Sequence, residues 1–360
     1  MVEKGQWVVL PYLVTKRLPG LRLSPPGVKV ERDRRPRWLG DYSYFKTNAK
    51  NLPVACLSAT QYGRALDRLL REIAFADSAL GYVYLLKANV SNGFYRIGLR
   101  PEDTPKLGLI LPIGANEEPM VANPLTLPMG WKNSPPLFCT ATETVADIAN
   151  EYLRSHQPSR PHKLDGRAEA VVPPPAPPLA DEHAKLTSNT YLRRPKAKLL
   201  AYVDVFVNEF LGLAQGPRHR CRHVRRTILH ALDKVFRPLD RQDTKQCKEV
   251  LSIKKLEARD CSWSTCQTML GWIFDSLNMT INLPPHRVAR IKEIVSSIPR
   301  TQHRVGVDKW HRVLSKPRSM AFALPGARGL FSQIQEALCH VKGKRVTLST
   351  GVHEALEDFK

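Results

Sequence analysis

Acidic side chains are scarce in this 360-residue chain: 33 aspartates and glutamates stand against 55 lysines and arginines, a formal net charge of +22. Such an excess favours a polyanionic partner, because each lysine or arginine that neutralises a phosphate releases a condensed counterion. Long apolar runs are missing too. Nothing approaches the ~18 apolar residues of a membrane-crossing helix. Residues 1–10 hold no apolar stretch followed by a cleavage site, so the expectation is an intracellular chain, cytoplasmic or nuclear, with no membrane partner. The seven cysteines, an odd number, fit reduced thiols better than a disulfide framework. His219, Cys221 and His223, or Cys261 with Cys266, match no structural zinc spacing. No Gly-x-Ser-x-Gly, Gly-x-Gly-x-x-Gly or P-loop pattern occurs, so the hydrolase, dinucleotide and P-loop readings lack their anchors.

What is present reads as α+β, since 42% hydrophobic content is enough for two or three subdomains with a core. Tyr62, Ala65, Leu66, Leu69, Leu70 and Ile73 recur at helical spacing, giving an amphipathic helix within 60–76. Residues 81–90 form a β-rich run that delivers Asn89 to a site. Ser134-Pro135 opens a second helix, with serine suited to the N-cap and proline to the first turn. Seven prolines between Pro158 and Pro178 mark an extended linker or insertion. Residues 199–213 read as a hairpin with Asn208-Glu209 at its tip. Val224, Ile228, Leu229, Leu232, Val235 and Phe236, and after Pro284-Pro285 the series Val288, Ile291, Ile294, Val295 and Ile298, predict further helices, and the last third as mainly helical.

Three blocks, in order, resemble the polymerase motifs of reverse transcriptases, nearest to those of DIRS-type and gypsy-type retrotransposon pol polyproteins. Lys87 to Ile97 is similar to the strand-to-helix block whose aspartate opens the family's active site, and that position is Asn89. Leu127-Pro128-Met129-Gly130 followed by Ser134-Pro135 and Phe138 resembles the block lying against the incoming nucleotide and template. Tyr202 to Phe210 resembles the Tyr-x-Asp-Asp hairpin, with Phe206 and Val207 in its first two places and Asn208 and Glu209 where the aspartates stand. Arg35 to Ser43 is similar to a fingers segment in which Arg37 would hold the triphosphate. Lys254-Lys255 and Leu270-Gly271-Trp272 resemble the later palm lysine and the primer-grip turn. The resemblance covers roughly residues 25–340 and lacks the ribonuclease H domain that usually follows, which suggests a fragment or a truncated reading frame.

The resemblance implies a right-hand polymerase fold of fingers, palm and thumb with a mostly antiparallel palm sheet. Residues 1–24 would be a flank and 25–155 fingers and palm. A Pro-rich linker or insertion would span 156–190, the rest of the palm 191–283, and a helical thumb or connection 284–360. It implies RNA-directed DNA synthesis with Mg2+, a template-primer duplex of RNA or DNA, and deoxynucleotides. The catalytic and metal positions would be Asn89, Asn208 and Glu209, and the nucleotide-binding ones Arg37, Phe94, Met129, Gly130, Val207 and Lys254. Phe94 reads as a steric gate against the ribose 2′-hydroxyl, or as a plain core aromatic. Arg35 and Arg37 could equally belong to a solvated basic loop.

Two of the three metal carboxylates are replaced by amides, which supply no charge and no bidentate option to a hard cation. Glu209 keeps its charge, but its extra methylene moves the oxygens by about 1.5 Å, beyond the tolerance of a preorganised site. Asp204 lies about 13 Å along the strand from Asn208 and could substitute only if the hairpin were shifted. The expectation is an impaired or inactive polymerase, or else a non-enzymatic nucleic-acid-binding remnant. Pro317 is expected to break or kink its helix.

Overall fold

The computed structural model describes residues 1–30, 37–50, 64–114, 117–155, 158–169, 199–236, 249–321 and 327–359. The chain divides into two compact units, Met1–Thr265 and Cys266–Lys360. Arg35, Tyr62 and most of the Pro-rich segment (170–190) lie outside the described residues.

The first unit begins with β1 (Trp7–Pro11), α1 (Tyr12–Thr15), β2 (Leu23–Ser24), β3 (Pro26–Lys29), β4 (Arg37–Gly40) and α2 (Thr47–Lys50). It continues through α3 (Ala65–Ala74), β5 (Val83–Asn89), β6 (Gly108–Ile110), β7 (Met120–Pro124), α4 (Ser134–Arg154) and α5 (Asp165–Glu169). It closes with β8 (Ala201–Phe206), β9 (Glu209–Gln215), α6 (Arg218–Val235) and α7 (Ile253–Glu257). Three strands in the order β5-β9-β8 form an antiparallel sheet, and β1-β7-β6-β2 form a second sheet with one parallel pairing, β2 on β6. The first sheet organises the unit. Alternation sends Leu86 and Ala88 of β5, Phe210 of β9 and Val203 and Val205 of β8 into the core, which α4 and α6 cover with Phe138, Val145, Ala149, Val224, Ile228 and Leu232. The opposite face of β5 carries Lys87 and Asn89, and the edge of β5 not paired with β9 receives the chain between 251 and 264 through backbone hydrogen bonds.

Helix α4 starts where the Ser-Pro signal says, but its cap differs from the expectation. Asn133 holds the N-cap position, and Ser134 sits inside the first turn, where its hydroxyl donates to the Pro128 carbonyl at 2.7 Å. That carbonyl is buried beside the turn and needs a donor more than the helix end does. The hairpin also shifts by one residue. Val207 and Asn208 form its two-residue turn, while Glu209 is the first residue of β9. Val207 has φ +56° and Asn208 is not among the positive-φ residues, the pattern of a type II′ turn whose first position suits glycine. A β-branched residue there costs of order 1–3 kcal/mol. Val207→Gly is therefore expected to raise the unfolding free energy by about 1 kcal/mol after glycine's own entropic cost, as read in urea titrations.

The segment after α4 folds back on α6 through charge. Arg226 donates to Asp165 at 2.5 Å, the buried Arg225 lies 3.6 Å from Asp165 and 2.9 Å from Glu169, and Arg222 meets Glu169 at 2.7 Å. Burial pushes the Asp165 carboxyl up. The His162 N–H together with Arg226 and Arg225 outweighs that effect and holds it below the usual carboxylate range. A depressed folded pKa stabilises the fold above the unfolded carboxylate value, near pH 4, and the contribution disappears as pH falls through the lower folded pKa. Asp165→Asn should cost about 2 kcal/mol at pH 7 and flatten the acid limb of the stability profile below pH 4, measured by denaturant titrations across pH.

The second unit opens with a meander of β10 (Cys266–Met269), β11 (Trp272–Asp275) and β12 (Thr280–Asn282). Leu270 and Gly271, both with positive φ, make the first turn, and Arg287 holds the Gly271 carbonyl at 2.5 Å. Next come α8 (Pro285–Ser296), β13 (Arg304–Gly306), α9 (Val307–Ala321), α10 (Ala327–Glu336), β14 (Val341–Lys342), β15 (Arg345–Thr347) and α11 (Thr350–Asp358). The helices are as expected, but β13, β15 and β14 add a three-stranded antiparallel sheet. Strands of two or three residues are too short to leave a period in the sequence. Helix α9 runs unbroken through the buried Pro317, contrary to the expectation of a break. Proline removes one hydrogen bond, to the Val313 carbonyl, and the helix continues to Ala321 without it. No described helix is long and apolar enough to cross a membrane.

Candidate functional site

The register of the β5-β9-β8 sheet brings the key positions of the first and third blocks together. Asn89 pairs with Glu209, Phe206 also pairs with Glu209, and the Val90 N–H donates to the Asn208 carbonyl at 2.9 Å. Directly paired residues share a face with Cβ atoms about 5 Å apart, so Asn89 and the half-buried Glu209 project side by side next to the turn.

Asn89 is 5% exposed and both ends of its amide are engaged. Its nitrogen donates to Asp260 Oδ2 at 2.8 Å, and its oxygen accepts from Lys255 Nζ at 2.7 Å. Lys87, two residues back on the same face, lies 3.8 Å from Asp260 Oδ1. The chain from 251 to 264 is stitched along β5 to achieve this. Ser252 N–H donates to Asn89, Cys261 N–H to Lys87, and Leu85 and Ser264 exchange two hydrogen bonds. Arg259 and Cys261 both carry positive φ, a sharp bend that aims the Asp260 carboxylate at Asn89. Burial pushes the Asp260 carboxyl up, more than the Asn89 amide and the two lysines pull it down.

Asp204 shares the face of Asn89 and Glu209 through the ladder, yet it is committed elsewhere. Arg68 of α3 donates to both its oxygens, at 2.8 and 2.6 Å, and the Tyr202 hydroxyl donates at 2.9 Å. This fork-to-fork pairing, with Asp204 only 3% exposed, fixes α3 on β8.

Met129 and Gly130 form a loop clamped to β4. Gly40 N–H donates to the Met129 carbonyl at 3.0 Å, Asn48 donates to the Gly130 carbonyl at 3.1 Å, and Lys132 N–H donates to Asn48 at 3.0 Å. Gly130 has φ +101°, and a Cβ there would lie 2.1 Å from the Gly40 carbonyl oxygen. The Arg37–Ser43 stretch is anchored beside this loop by the fully buried Tyr42, whose hydroxyl donates to the Leu107 carbonyl at 3.0 Å. Arg37 is the first residue of β4, and its side chain lies outside the described residues. Phe94, half-buried on a 3-10 turn, meets Phe138 of α4 edge to face at 5.2 Å. Lys254 and Lys255 are both exposed, and of the two it is Lys255 whose ammonium reaches back to Asn89. Sequence reasoning passed over Lys87, Lys255 and Asp260 as partners of Asn89. The Lys254-Lys255 pair was visible, but nothing in the spacing tells which of the two points inward, and Asp260 is 171 positions from its partner.

A pair of divalent ions is a poor match for this donor set. Asn89 offers one neutral oxygen, already held by an ammonium, and Asp260 is turned toward the Asn89 amide and Lys87. Among the described residues no group of three or more His, Cys, Asp or Glu side chains could hold a metal ion.

No protein-family model matches the chain, and no curated protein matches its sequence. Solved structures do. The foamy viral protease-reverse transcriptase dRH in complex with double-stranded DNA superposes with TM-score 0.54 at 12% identity, covering 99% of this chain and 45% of that one. The foamy viral protease-reverse transcriptase in complex with double-stranded DNA gives TM-score 0.48 at 12% identity over 98% and 52%. This chain thus spans less than half the length of the first. The fold is reverse-transcriptase-like, a mixed α+β arrangement.

Proposed function

We propose that this chain is the reverse-transcriptase domain of a retrotransposon-type polyprotein that retains duplex binding and has lost most or all nucleotidyl transfer. The observation that carries this reading is the Asn89 amide, hydrogen-bonded to both Lys255 and Asp260, on the strand face shared with Glu209. The β5-β9-β8 sheet would be the palm, and Asn89, Asn208 and Glu209 its catalytic and metal positions. Met129, Gly130, Phe94, Val207, Arg37 and Lys254 would line the nucleotide site. Phe94 serves as the gate in this reading, with its contact to Phe138 fixing the ring's angle.

The net charge of +22 supports a polyanionic partner, and the structural neighbour was solved with double-stranded DNA. Family polymerases hold Mg2+ with three carboxylates, whereas here the corresponding side chains are two amides and a glutamate. Deoxynucleotides would then enter, if at all, without the ions that activate the primer hydroxyl. Binding of a labelled RNA–DNA primer-template, followed by fluorescence anisotropy across 50–200 mM salt, tests the reading. A chain contacting about six phosphates should lose roughly a thousandfold in affinity over that range. Affinity independent of salt, or equal for a neutral-backbone analogue, would refute it.

A further inference from the structure

The Asn89 centre contains its own cation. We infer that the Lys255 ammonium is the resident counter-charge of this centre and keeps a divalent ion out of it. The inference rests on the reading that Asn89 stands at the polymerase metal position.

The orientation of the Asn89 amide follows from chemistry. Its NH2 faces the Asp260 carboxylate at 2.8 Å and its oxygen faces the Lys255 ammonium at 2.7 Å. The flipped amide would set donor against donor and acceptor against acceptor. From Asp260 through Asn89 to Lys255 donors and acceptors alternate, and Lys87 faces Asp260 at an ion-pair distance of 3.8 Å. Two ammonium groups, Lys87 and Lys255, thus flank the Asp260–Asn89 pair. A divalent ion at the Asn89 oxygen would have to displace an ammonium already hydrogen-bonded there.

Restoring carboxylates alone would not undo this arrangement. An aspartate at position 89 would face Asp260 where the amide now donates, and the two carboxylates would hold a cation between them. Lys255 is already hydrogen-bonded to the side chain at position 89, so it competes there with any metal. The ammonium is the compact, strongly hydrated charge that such a pair accepts as a counter-ion.

The test is Mn2+ binding, read from the free-ion electron paramagnetic resonance signal, without nucleic acid or nucleotide. The native chain and its Asn89→Ala variant are compared with Asn89→Asp/Asn208→Asp/Glu209→Asp, alone and with Lys255→Met or Lys255→Arg added. The native chain should bind no equivalent of Mn2+ that depends on residue 89. The triple variant should bind weakly, and Lys255→Met should tighten it by tenfold or more, whereas Lys255→Arg should not. Unchanged affinity on adding Lys255→Met, or native binding that disappears in Asn89→Ala, overturns the inference. Acetylation of the native chain with a limiting acyl ester, read by mass spectrometry, needs no restored variant. Lys255 should label more slowly than Lys254, and Asn89→Ala should erase the difference. Equal labelling of the two lysines in the native chain also overturns it. Because no nucleic acid is present, these results stand apart from whether the chain binds a duplex.

Discussion

Primer extension on poly(rA)/oligo(dT) with magnesium or manganese should be about four orders of magnitude slower for the native chain than for Asn89→Asp/Asn208→Asp/Glu209→Asp carrying Lys255→Met. In-line phosphoryl transfer depends on metal ions to activate the primer hydroxyl and neutralise the phosphates. A carboxylate at ~4 Å in a dielectric of ~20 attracts a divalent ion with about 8 kcal/mol, much of which solvation returns. A net ~3 kcal/mol at each of two amide positions gives the four orders. The triple variant with Lys255 intact should fall between, because the ammonium lies 2.7 Å from the side-chain oxygen at position 89. Extension by the native chain at the rate of the restored one would show that the centre is elsewhere. Absence of extension from every variant would show that these positions are not what disables the chain.

Gly130→Ala should be the most damaging single-methyl change in the first unit, lowering stability by more than about 3 kcal/mol. Two costs combine at this position. The φ of +101° is one that L side chains rarely adopt, and the new Cβ would press to 2.1 Å from the Gly40 carbonyl oxygen, a backbone atom with no rotamer to escape into. Relief requires the 129–132 loop to part from β4, breaking the Gly40–Met129 and Asn48–Gly130 hydrogen bonds. Thermal unfolding followed by circular dichroism, with Gly166→Ala as a control where a Cβ meets nothing within 4 Å, separates this from a general loss of glycine. A melting temperature within 2 °C of native would contradict the clamped-loop description, since about 1 kcal/mol shifts the melting of a domain this size by roughly 2–4 °C.

The elements with strong periods were legible in the sequence. Helix α3 over Ala65–Ala74, the start of α4 at Ser134, the β8-β9 hairpin and helix α6 follow from apolar spacing and turn chemistry alone. The meeting of Asn89 with the hairpin was what the resemblance to reverse-transcriptase motifs implied, and the register of β5 on β9 brings Asn89 opposite Glu209. What escaped was long-range polar pairing. Asp260 reaches Asn89, and Arg68 reaches Asp204 across 136 positions, through backbone bends that leave no periodic trace. Val207 in a left-handed turn runs against β-branched preference, and Pro317 inside α9 runs against helix propensity. In both places tertiary contacts override the local signal.

The most direct measurement compares equilibrium affinity for an RNA–DNA primer-template in excess EDTA and in millimolar Mg2+ at matched ionic strength. If the centre carries its own cation and the chain retains only binding, the two dissociation constants should agree within about twofold, a difference of ~0.4 kcal/mol. A tenfold or greater gain in Mg2+ that disappears in Asn89→Ala would contradict the account, because it would place a working metal at the position that Lys255 occupies.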